Sequence, residues 1–351
     1  MKRKNLIVPI IFDLLDYHKE RPALSWLFEV YTNYCINNSM PLIAQEDYFN
    51  EEINSLDETY SFLKREKDEI LNKQKNCLKK YSVTNKETLS INHGKIANFD
   101  DQLKFMSQQN EVYKSIINKK IDKIEQDYKQ EINGIFTWYW NPSLDKICKD
   151  RGIQIICQEL SPIRNIPTNK SYITTLCYFQ FANKFDKKYC HSEYKRFLNS
   201  PSIDNLEIFS REQLLAMFLN PEDIHLINDL KNPSEYELGI APPIKNDFFF
   251  EIFSNQSTKD TIKNIERIFR PSEVTVRCHP GLERKFGNPN WAIDNSKKGI
   301  YWVAKCKRIL TYVSNVAFDA MLLGKTTYLL SDNMPFSFKA LTRLDCRDES
   351  I

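Results

Sequence analysis

The sequence predicts an α/β protein with two domains, each built on a parallel sheet with helices on both faces. The chain has 351 residues, more than a single hydrophobic core usually serves. Its composition, 42% hydrophobic and 13% aromatic, is that of a folded protein. Short apolar runs rich in β-branched residues alternate with segments of helical length. This alternation is typical of doubly wound parallel sheets.

The first domain is predicted to cover residues 1–232. It begins with two strand-like runs, NLIVPIIF and PLIAQE, separated by a helical segment. From about residue 50 to 132 the chain is rich in Lys, Glu and Gln, with apolar residues every three or four positions, which predicts long amphipathic helices. We interpret this region as a helical excursion, or insertion, that forms a solvated arm, although a partner-binding coiled coil fits the same pattern. The runs GIFTWYW and GIQIICQE then resume the α/β order.

The second domain is predicted to cover residues 233–351. The strand-like runs YELGIAPPI, VTVRCHP, RILTYVS and TTYLLSD alternate here with the helical segments STKDTIKNIERIF, GIYWVAKCK and NVAFDAMLLG. Before them comes NPEDIHLINDLKNPSEYE, which is polar and has two prolines. We interpret this stretch as the connection between the domains.

Composition and missing motifs exclude several classes of protein. A net charge of +3 gives no reason to expect nucleic acid as a partner. No window approaches the roughly 20 apolar residues of a membrane span. The nine cysteines form no CxxC pair, which favours buried, reduced thiols in a cytosolic protein over zinc or disulfides. The sequence has no GxGxxG, no GxxxxGK[ST] and no DxD, so a dinucleotide, a P-loop nucleotide or a metal held by DxD is not expected.

Cationic and polar residues follow two consecutive strands of the second domain. Arg277, His279 and Pro280 come after one strand, and Ser314 and Asn315 come after the next, where a helix begins. Parallel α/β sheets bind ligands at the carboxyl ends of their strands. A guanidinium, an imidazole, a hydroxyl, an amide and a helix N-terminus at one edge predict a phosphate site. Taken alone, Ser314 is typical of an ordinary helix N-cap.

Two acidic residues also follow predicted strands. Glu159 ends the run IQIICQE, five residues before Arg164, and Asp247 follows YELGIAPPI beside Lys245. Desolvation by the apolar neighbours of Asp247 would raise its pKa unless Lys245 offsets that effect. A carboxylate from each domain facing a shared cleft suits glycosyl transfer. A structural ion pair is the alternative explanation for Glu159 and Arg164.

Asp247, then RCHPG, then SNVAFDAMLLGK resemble the CMP-sugar-dependent glycosyltransferases of the GT-B architecture, in which a His-Pro motif and a later Ser motif hold CMP. The order Glu159, Asp247, His279 and Ser314 is most similar to the bacterial retaining β-Kdo transferases. These add 3-deoxy-D-manno-octulosonic acid (Kdo) to bacterial surface glycans, either the O-antigen of lipopolysaccharide or the capsule polysaccharide. The resemblance covers roughly residues 134–332. It implies two Rossmann-like domains facing a cleft, the first on the acceptor side and the second binding the CMP-sugar.

The resemblance also implies a role for each matching residue. Asp247 is expected to be the nucleophile, Glu159 the acid or base toward the acceptor hydroxyl, and Arg164 and Lys245 to contact the substrate. The CMP site is expected to consist of Arg277, His279, Pro280, Ser314, Asn315 and, near the ribose, Asp319. The donor is then CMP-Kdo, with no cofactor and no metal. The expected acceptor is a glycan and the expected location is the cytoplasm. If the glycan is linked to a lipid, the enzyme would work at the inner face of the cytoplasmic membrane.

Two departures from the family pattern and two alternatives stay open at this point. Pro242-Pro243-Ile244-Lys245 stands where the family usually carries a Gln, and few residues follow Asp332, which predicts a truncated C-terminal domain. The first alternative is an inverting CMP-sialic acid transferase of the same architecture. The second is a non-catalytic scaffold whose helices at 50–132 dock partners.

Overall fold

The computed structural model describes residues 5–16, 25–50, 78–138, 140–160, 174–177, 199, 210–231, 234–243, 250–251, 254, 257–278, 286–296, 298–312, 314 and 316–330. The chain divides into two compact units. Unit 1 contains the described residues up to 177, and unit 2 contains those from 199 onward. No helix among these residues is both long and apolar enough to cross a bilayer.

Unit 1 is a six-stranded sheet covered by helices. Its elements are β1 (Leu6–Ile11), α1 (Ser25–Asn38), β2 (Pro41–Gln45), α2 (Glu46–Asn50), β3 (Lys79–Val83), α3 (Asn85–Ile91), α4 (Phe99–Ser107), α5 (Glu111–Tyr128), β4 (Ile132–Thr137), α6 (Pro142–Arg151), β5 (Gln154–Leu160) and β6 (Thr174–Cys177). The strand order is β3-β2-β1-β4-β5-β6. All neighbours are parallel except β5 and β6.

The helices of unit 1 begin where the sequence supplies capping side chains. Asn141, for example, accepts a hydrogen bond from the backbone N–H of Leu144 (2.9 Å), and Pro142 takes the first helical position of α6. A proline suits that position because its missing N–H would have no partner within the helix. The predicted helix start near Asn141 is therefore confirmed.

The predicted insertion at about 50–132 needs a correction. In its described part the region is mostly helical, but it also supplies β3, an edge strand parallel to β2. Its helix α5 buries one face against the rest of unit 1, through Tyr113, Ile116, Ile117, Ile121 and Ile124. These residues therefore form part of the unit's body, not a solvated arm. The sequence pattern did not reveal β3, because Lys79 and Lys80 make the strand look polar. Both are exposed on this edge strand, where lysines are common.

Unit 2 is a five-stranded sheet in which every neighbouring pair is parallel. Its elements are α7 (Arg211–Phe218), α8 (Pro221–Lys231), β7 (Tyr236–Ala241), α9 (Thr258–Ile268), β8 (Val274–Val276), β9 (Ala292–Ile293), α10 (Gly299–Lys305), β10 (Cys306–Thr311), α11 (Val316–Leu322) and β11 (Thr326–Leu329). The strand order is β11-β10-β7-β8-β9.

The two sheets share one topology. In each, the first strand lies inside the sheet, the next two strands extend to one side, and the following two extend to the other, where the first sheet adds the antiparallel β6. This is the strand order of the doubly wound dinucleotide-binding fold, with a switch point beside the first strand. The switch points lie between β1 and β4 and between β7 and β10. The predicted α/β class with two Rossmann-like domains is confirmed.

Helices α7 and α8 belong with unit 2, whereas the predicted boundary at 232/233 assigns them to the first domain. Leu215, Leu219 and Ile227 bury their side chains in the same core cluster as Trp302 and Val303 of α10. The stretch interpreted as a connection is therefore largely helical. Burial of this apolar face explains why these helices stay with the second sheet.

Cys35, Cys148, Cys278 and Cys306 are free thiols. Cys35, Cys148 and Cys306 are buried, and burial raises the pKa of Cys148 and of Cys306 to about 12. The thiols of Cys148 and Cys306 therefore stay protonated and unreactive near neutral pH. The prediction of buried, reduced cysteines is confirmed for Cys35, Cys148 and Cys306.

Gly239, in the central strand β7, leads to a stability prediction. A Cβ at this position would lie 2.7 Å from Cys306 Sγ, 2.8 Å from Trp302 Cζ2 and 2.9 Å from Ile309 Cδ1, so Gly239→Ala forces a packed core apart. We expect a loss of about 1–3 kcal/mol in the free energy of unfolding, measured by urea titration. Gly134→Ala in β4 is the matched control, because its nearest contacts would be 3.6 Å. Equal effects of the two substitutions would contradict the prediction.

Candidate active site

Two of the candidate residues, Arg277 and Ser314, lie at the carboxyl edge of the second sheet. Arg277 directly follows β8, and its backbone N–H donates to the carbonyl oxygen of Ile240 in β7 (3.0 Å). Ser314 follows β10. Because β7 lies between β8 and β10, the ends of these two strands are about 10 Å apart. A small ligand lying across the end of β7 could therefore contact residues that follow both β8 and β10.

Arg277 is held by the residues that follow the edge strand β9. Its Nη1 donates to the carbonyl oxygen of Ser296 (2.9 Å) and forms an ion pair with Oδ2 of Asp294. The Asp294 side chain is only 4% exposed, and its other oxygen accepts from the backbone N–H (3.1 Å) and the Oγ (2.5 Å) of Ser296. One edge of the guanidinium is thus fixed in place. Among the described residues, Nε and Nη2 have no hydrogen-bond partner.

The opposite side of Arg277 faces Gly299, the first residue of α10. A Cβ on Gly299 would lie 3.5 Å from Arg277 Nε and 4.0 Å from Asp319 Oδ2. The absence of a side chain therefore leaves a methyl-sized space within van der Waals contact of a cation and a carboxylate. We call this position the Gly299 space.

Ser314 caps the helix that carries Asp319. Its Oγ accepts from the backbone N–H of Val316 (3.3 Å), and its carbonyl oxygen accepts from that of Ala317 (3.1 Å). Ser314 therefore makes the hydrogen bonds of a helix N-cap. A hydroxyl that accepts one hydrogen bond still has a proton to donate, so the cap is compatible with a ligand contact.

A buried ion pair fixes the residue before Gly299. Lys298 Nζ donates to both carboxylate oxygens of Asp223 in α8 (2.7 and 2.6 Å), and the hydroxyl of Tyr301 donates to the same carboxylate. Desolvation raises the pKa of Asp223, but the hydrogen bonds from Lys298 and Tyr301 outweigh it and leave that pKa below its usual value. The pair attaches α8 to the start of α10.

Several predicted site residues fall outside the described residues: Arg164, Lys245, Asp247, His279, Pro280 and Asn315. For Glu159 the structure describes the backbone, which pairs with Thr175 in the antiparallel β5–β6 ladder. Their predicted roles stay predictions.

Sequence reasoning missed Asp294, Gly299 and Asp223. Asp294 follows a strand of two residues, too short to give an alternating pattern. Asp223 carried a recognisable signal, because Pro221 opens a helix with Glu222 and Asp223 in its first turn, the usual arrangement of an N-terminus. The prediction of a connection between the domains overlooks this signal.

Solved structures similar to the chain include glycosyltransferases and an epimerase of a nucleotide sugar. Thermosulfurimonas dismutans KpsC, beta Kdo 2,7 transferase, is 13% identical with a TM-score of 0.41, over 65% of this chain and 73% of that chain. UDP-glucose: anthocyanidin 3-O-glucosyltransferase in complex with UDP is 11% identical with a TM-score of 0.38, over 95% and 82%. Methanocaldococcus jannaschii UDP-GlcNAc 2-epimerase is 11% identical with a TM-score of 0.34, over 95% and 86%.

Each of these TM-scores is below 0.5, so what those proteins bind and transfer is not carried over to this chain. No protein-family model matches the sequence, and no curated protein matches it.

Proposed function

We propose that the chain is a glycosyltransferase that moves Kdo from CMP-Kdo to a hydroxyl of a bacterial surface glycan, with retention of configuration. The proposal joins the ordered motifs of the sequence to the geometry of unit 2. The single observation that carries it is the placement of Arg277 and Asp319 next to the Gly299 space, at the ligand-binding edge of a doubly wound sheet.

This placement suits a nucleoside monophosphate. A guanidinium fixed on one edge can direct its remaining donors at a phosphate oxygen. A carboxylate nearby can accept hydrogen bonds from ribose hydroxyls, as acids do in related nucleotide-binding folds. His279, Pro280, Ser314 and Asn315 complete the proposed CMP site and help to stabilise the charge on the departing CMP.

The proposed reaction has two displacements. In the first, a carboxylate oxygen of Asp247 bonds to the anomeric carbon of Kdo as the bond from that carbon to the CMP phosphate oxygen breaks. In the second, Glu159 takes the proton of the acceptor hydroxyl, whose oxygen displaces Asp247 from the same carbon. Two inversions give retention, and each step is easier than one direct displacement.

The remaining parts of the proposal concern partners and location. Unit 1 is the proposed acceptor side and unit 2 the proposed donor side, with Arg164 and Lys245 contacting substrate. Neither a cofactor nor a metal takes part in the proposed steps. A lipid-linked glycan acceptor would place the enzyme at the cytoplasmic face of the membrane.

Intact-mass measurement with CMP-Kdo tests the proposal. Wild-type protein and Glu159→Gln are incubated with the donor in the absence of an acceptor. We expect Glu159→Gln to accumulate a mass increase equal to one Kdo residue, because the covalent adduct forms but its resolution is slowed. Peptide mapping should place the sugar on Asp247.

Three outcomes separate the alternatives. An adduct on Asp247 supports the retaining scheme. CMP binding without any adduct, together with an inverted product, supports the inverting sialyltransferase-like alternative. Failure of the wild-type protein to bind CMP in calorimetry would overturn the enzymatic proposal and favour a non-catalytic scaffold.

A further inference from the structure

The segment between β9 and α10 touches the proposed CMP site, and no sequence motif marks it. At one end Asp294 holds Arg277, and at the other Gly299 faces the Nε of the same side chain. The segment is attached to unit 2 at both ends. The backbone N–H of Asp294 donates to the carbonyl oxygen of Val276 (2.8 Å), and Lys298 is paired with Asp223.

We infer that residues 294–296, Lys298 and Gly299 form a further wall of the nucleotide site, in which Asp294 is a positioning residue for Arg277 and Gly299 leaves the space that a ligand atom occupies. This inference rests on the proposed function, because it assumes that Arg277 contacts the phosphate of CMP.

The contacts of Asp294 explain why it would act through Arg277. A guanidinium without a fixed partner samples many rotamers, and ordering it on binding costs conformational entropy. Asp294 and the Ser296 carbonyl take Nη1 and leave Nε and Nη2 for a ligand. Most of this ordering is therefore complete before the nucleotide arrives.

The contacts of Gly299 explain why no larger residue would serve there. Distances of 3.5 and 4.0 Å from the added Cβ to Arg277 Nε and Asp319 Oδ2 are ordinary van der Waals contacts, so an alanine fits the folded chain. Alanine is also the better helix former at the start of α10. A methyl group would nevertheless fill the Gly299 space and exclude a ligand atom from it. The glycine is thus dispensable for folding and needed for binding.

Calorimetric titration with CMP and with cytidine tests both parts of the inference. We expect Gly299→Ala to weaken CMP binding by about 10-fold or more while the urea midpoint stays that of the wild type. We expect Asp294→Ala to weaken CMP binding by about 10- to 100-fold, because Arg277 then has to be ordered when the nucleotide binds. Cytidine has no phosphate, so its affinity should not change in the Asp294 variant.

Controls separate this inference from the proposed function. Gly134→Ala, in unit 1, makes the same chemical change with similar contacts and should bind CMP like the wild type. Asp294→Asn, which can still accept a hydrogen bond from Arg277, should recover part of the affinity lost in Asp294→Ala.

The outcomes for Arg277→Ala decide which idea fails. If Arg277→Ala weakens CMP binding but Asp294→Ala and Gly299→Ala do not, the inference is overturned and the proposed function stands. If the wild type binds no CMP, or Arg277→Ala binds it unchanged, the CMP site itself is wrong. Equal losses of CMP and cytidine affinity in Asp294→Ala would indicate a merely structural role and would also overturn the inference.

Discussion

Asp247→Asn is expected to lower the rate of CMP release from CMP-Kdo by about 10⁴-fold, the usual scale for removal of a catalytic nucleophile. An amide oxygen is a far weaker nucleophile than a carboxylate, so the first displacement fails whichever acceptor follows. The measurement is CMP release with water as acceptor, after subtraction of the spontaneous hydrolysis of the donor. CMP affinity should stay within a few-fold of the wild type, because the proposed CMP site does not include Asp247.

Asp150→Asn provides the matched control for this substitution. Asp150 pairs with Lys146 on an exposed helix face, and both side chains are about half exposed, so the change from Asp to Asn should leave the rate unaltered. A rate for Asp247→Asn within tenfold of the wild type would contradict the assignment of Asp247 as nucleophile.

Asp223→Ala is expected to lower the free energy of unfolding by about 2–4 kcal/mol at pH 7. The substitution leaves Lys298 without its anion and removes the acceptor of the Tyr301 hydroxyl. Breaking a buried pair costs about 3–5 kcal/mol. The Lys298 side chain is 26% exposed, so partial hydration reduces that cost. Urea unfolding of the two proteins measures the difference.

The pH dependence of this difference has a defined sign. Asp223 has a folded-state pKa below its usual value, so its charged form is stabilised by folding. Its contribution is fully present above the unfolded pKa of about 4 and is lost as the pH falls through the folded pKa. The gap between wild type and Asp223→Ala should therefore narrow below about pH 4.

Asp150→Ala again provides the control, since an exposed i,i+4 pair contributes only about 0.5 kcal/mol. If Asp223→Ala were no more destabilising than Asp150→Ala, the pair would not attach α8 to α10 in the way described.

The fold was predictable wherever the strands are long and apolar. β1 and β7 consist mostly of buried apolar residues, and their turn signals bound them clearly, so the alternation of strand and helix defined the class. β3 and β9 could not be found in this way. The first carries exposed lysines at a sheet edge, and the second has two residues, so both depend on pairing with a neighbour that is distant in the chain.

The sequence predicted the candidate residues that directly follow strands, but not the residues that pack against them. Arg277 and Ser314 follow strands, and the rule for parallel sheets assigns them to the carboxyl edge. The ion pair between Arg277 and Asp294 requires β9 to lie beside β8, and the Gly299 space requires α10 to begin against Arg277. Both contacts depend on tertiary structure, so no pattern of neighbouring residues in the sequence could predict them.

The position of β7 has a consequence for how the chain acquires its structure. This strand is flanked by β8 and by β10, whose first residue is Cys306, so its pairing on one side waits for a distant part of the polypeptide. Closing large loops before any pairing energy is gained slows the search for the native state. On the ribosome, the described strands of the first sheet have all been synthesised by Cys177, so they can assemble while the second sheet is still being made. We expect refolding from denaturant to show two phases, with the burial of Trp302 in the faster one, because β1 and β4 of the first sheet are farther apart in the chain than β7 and β10.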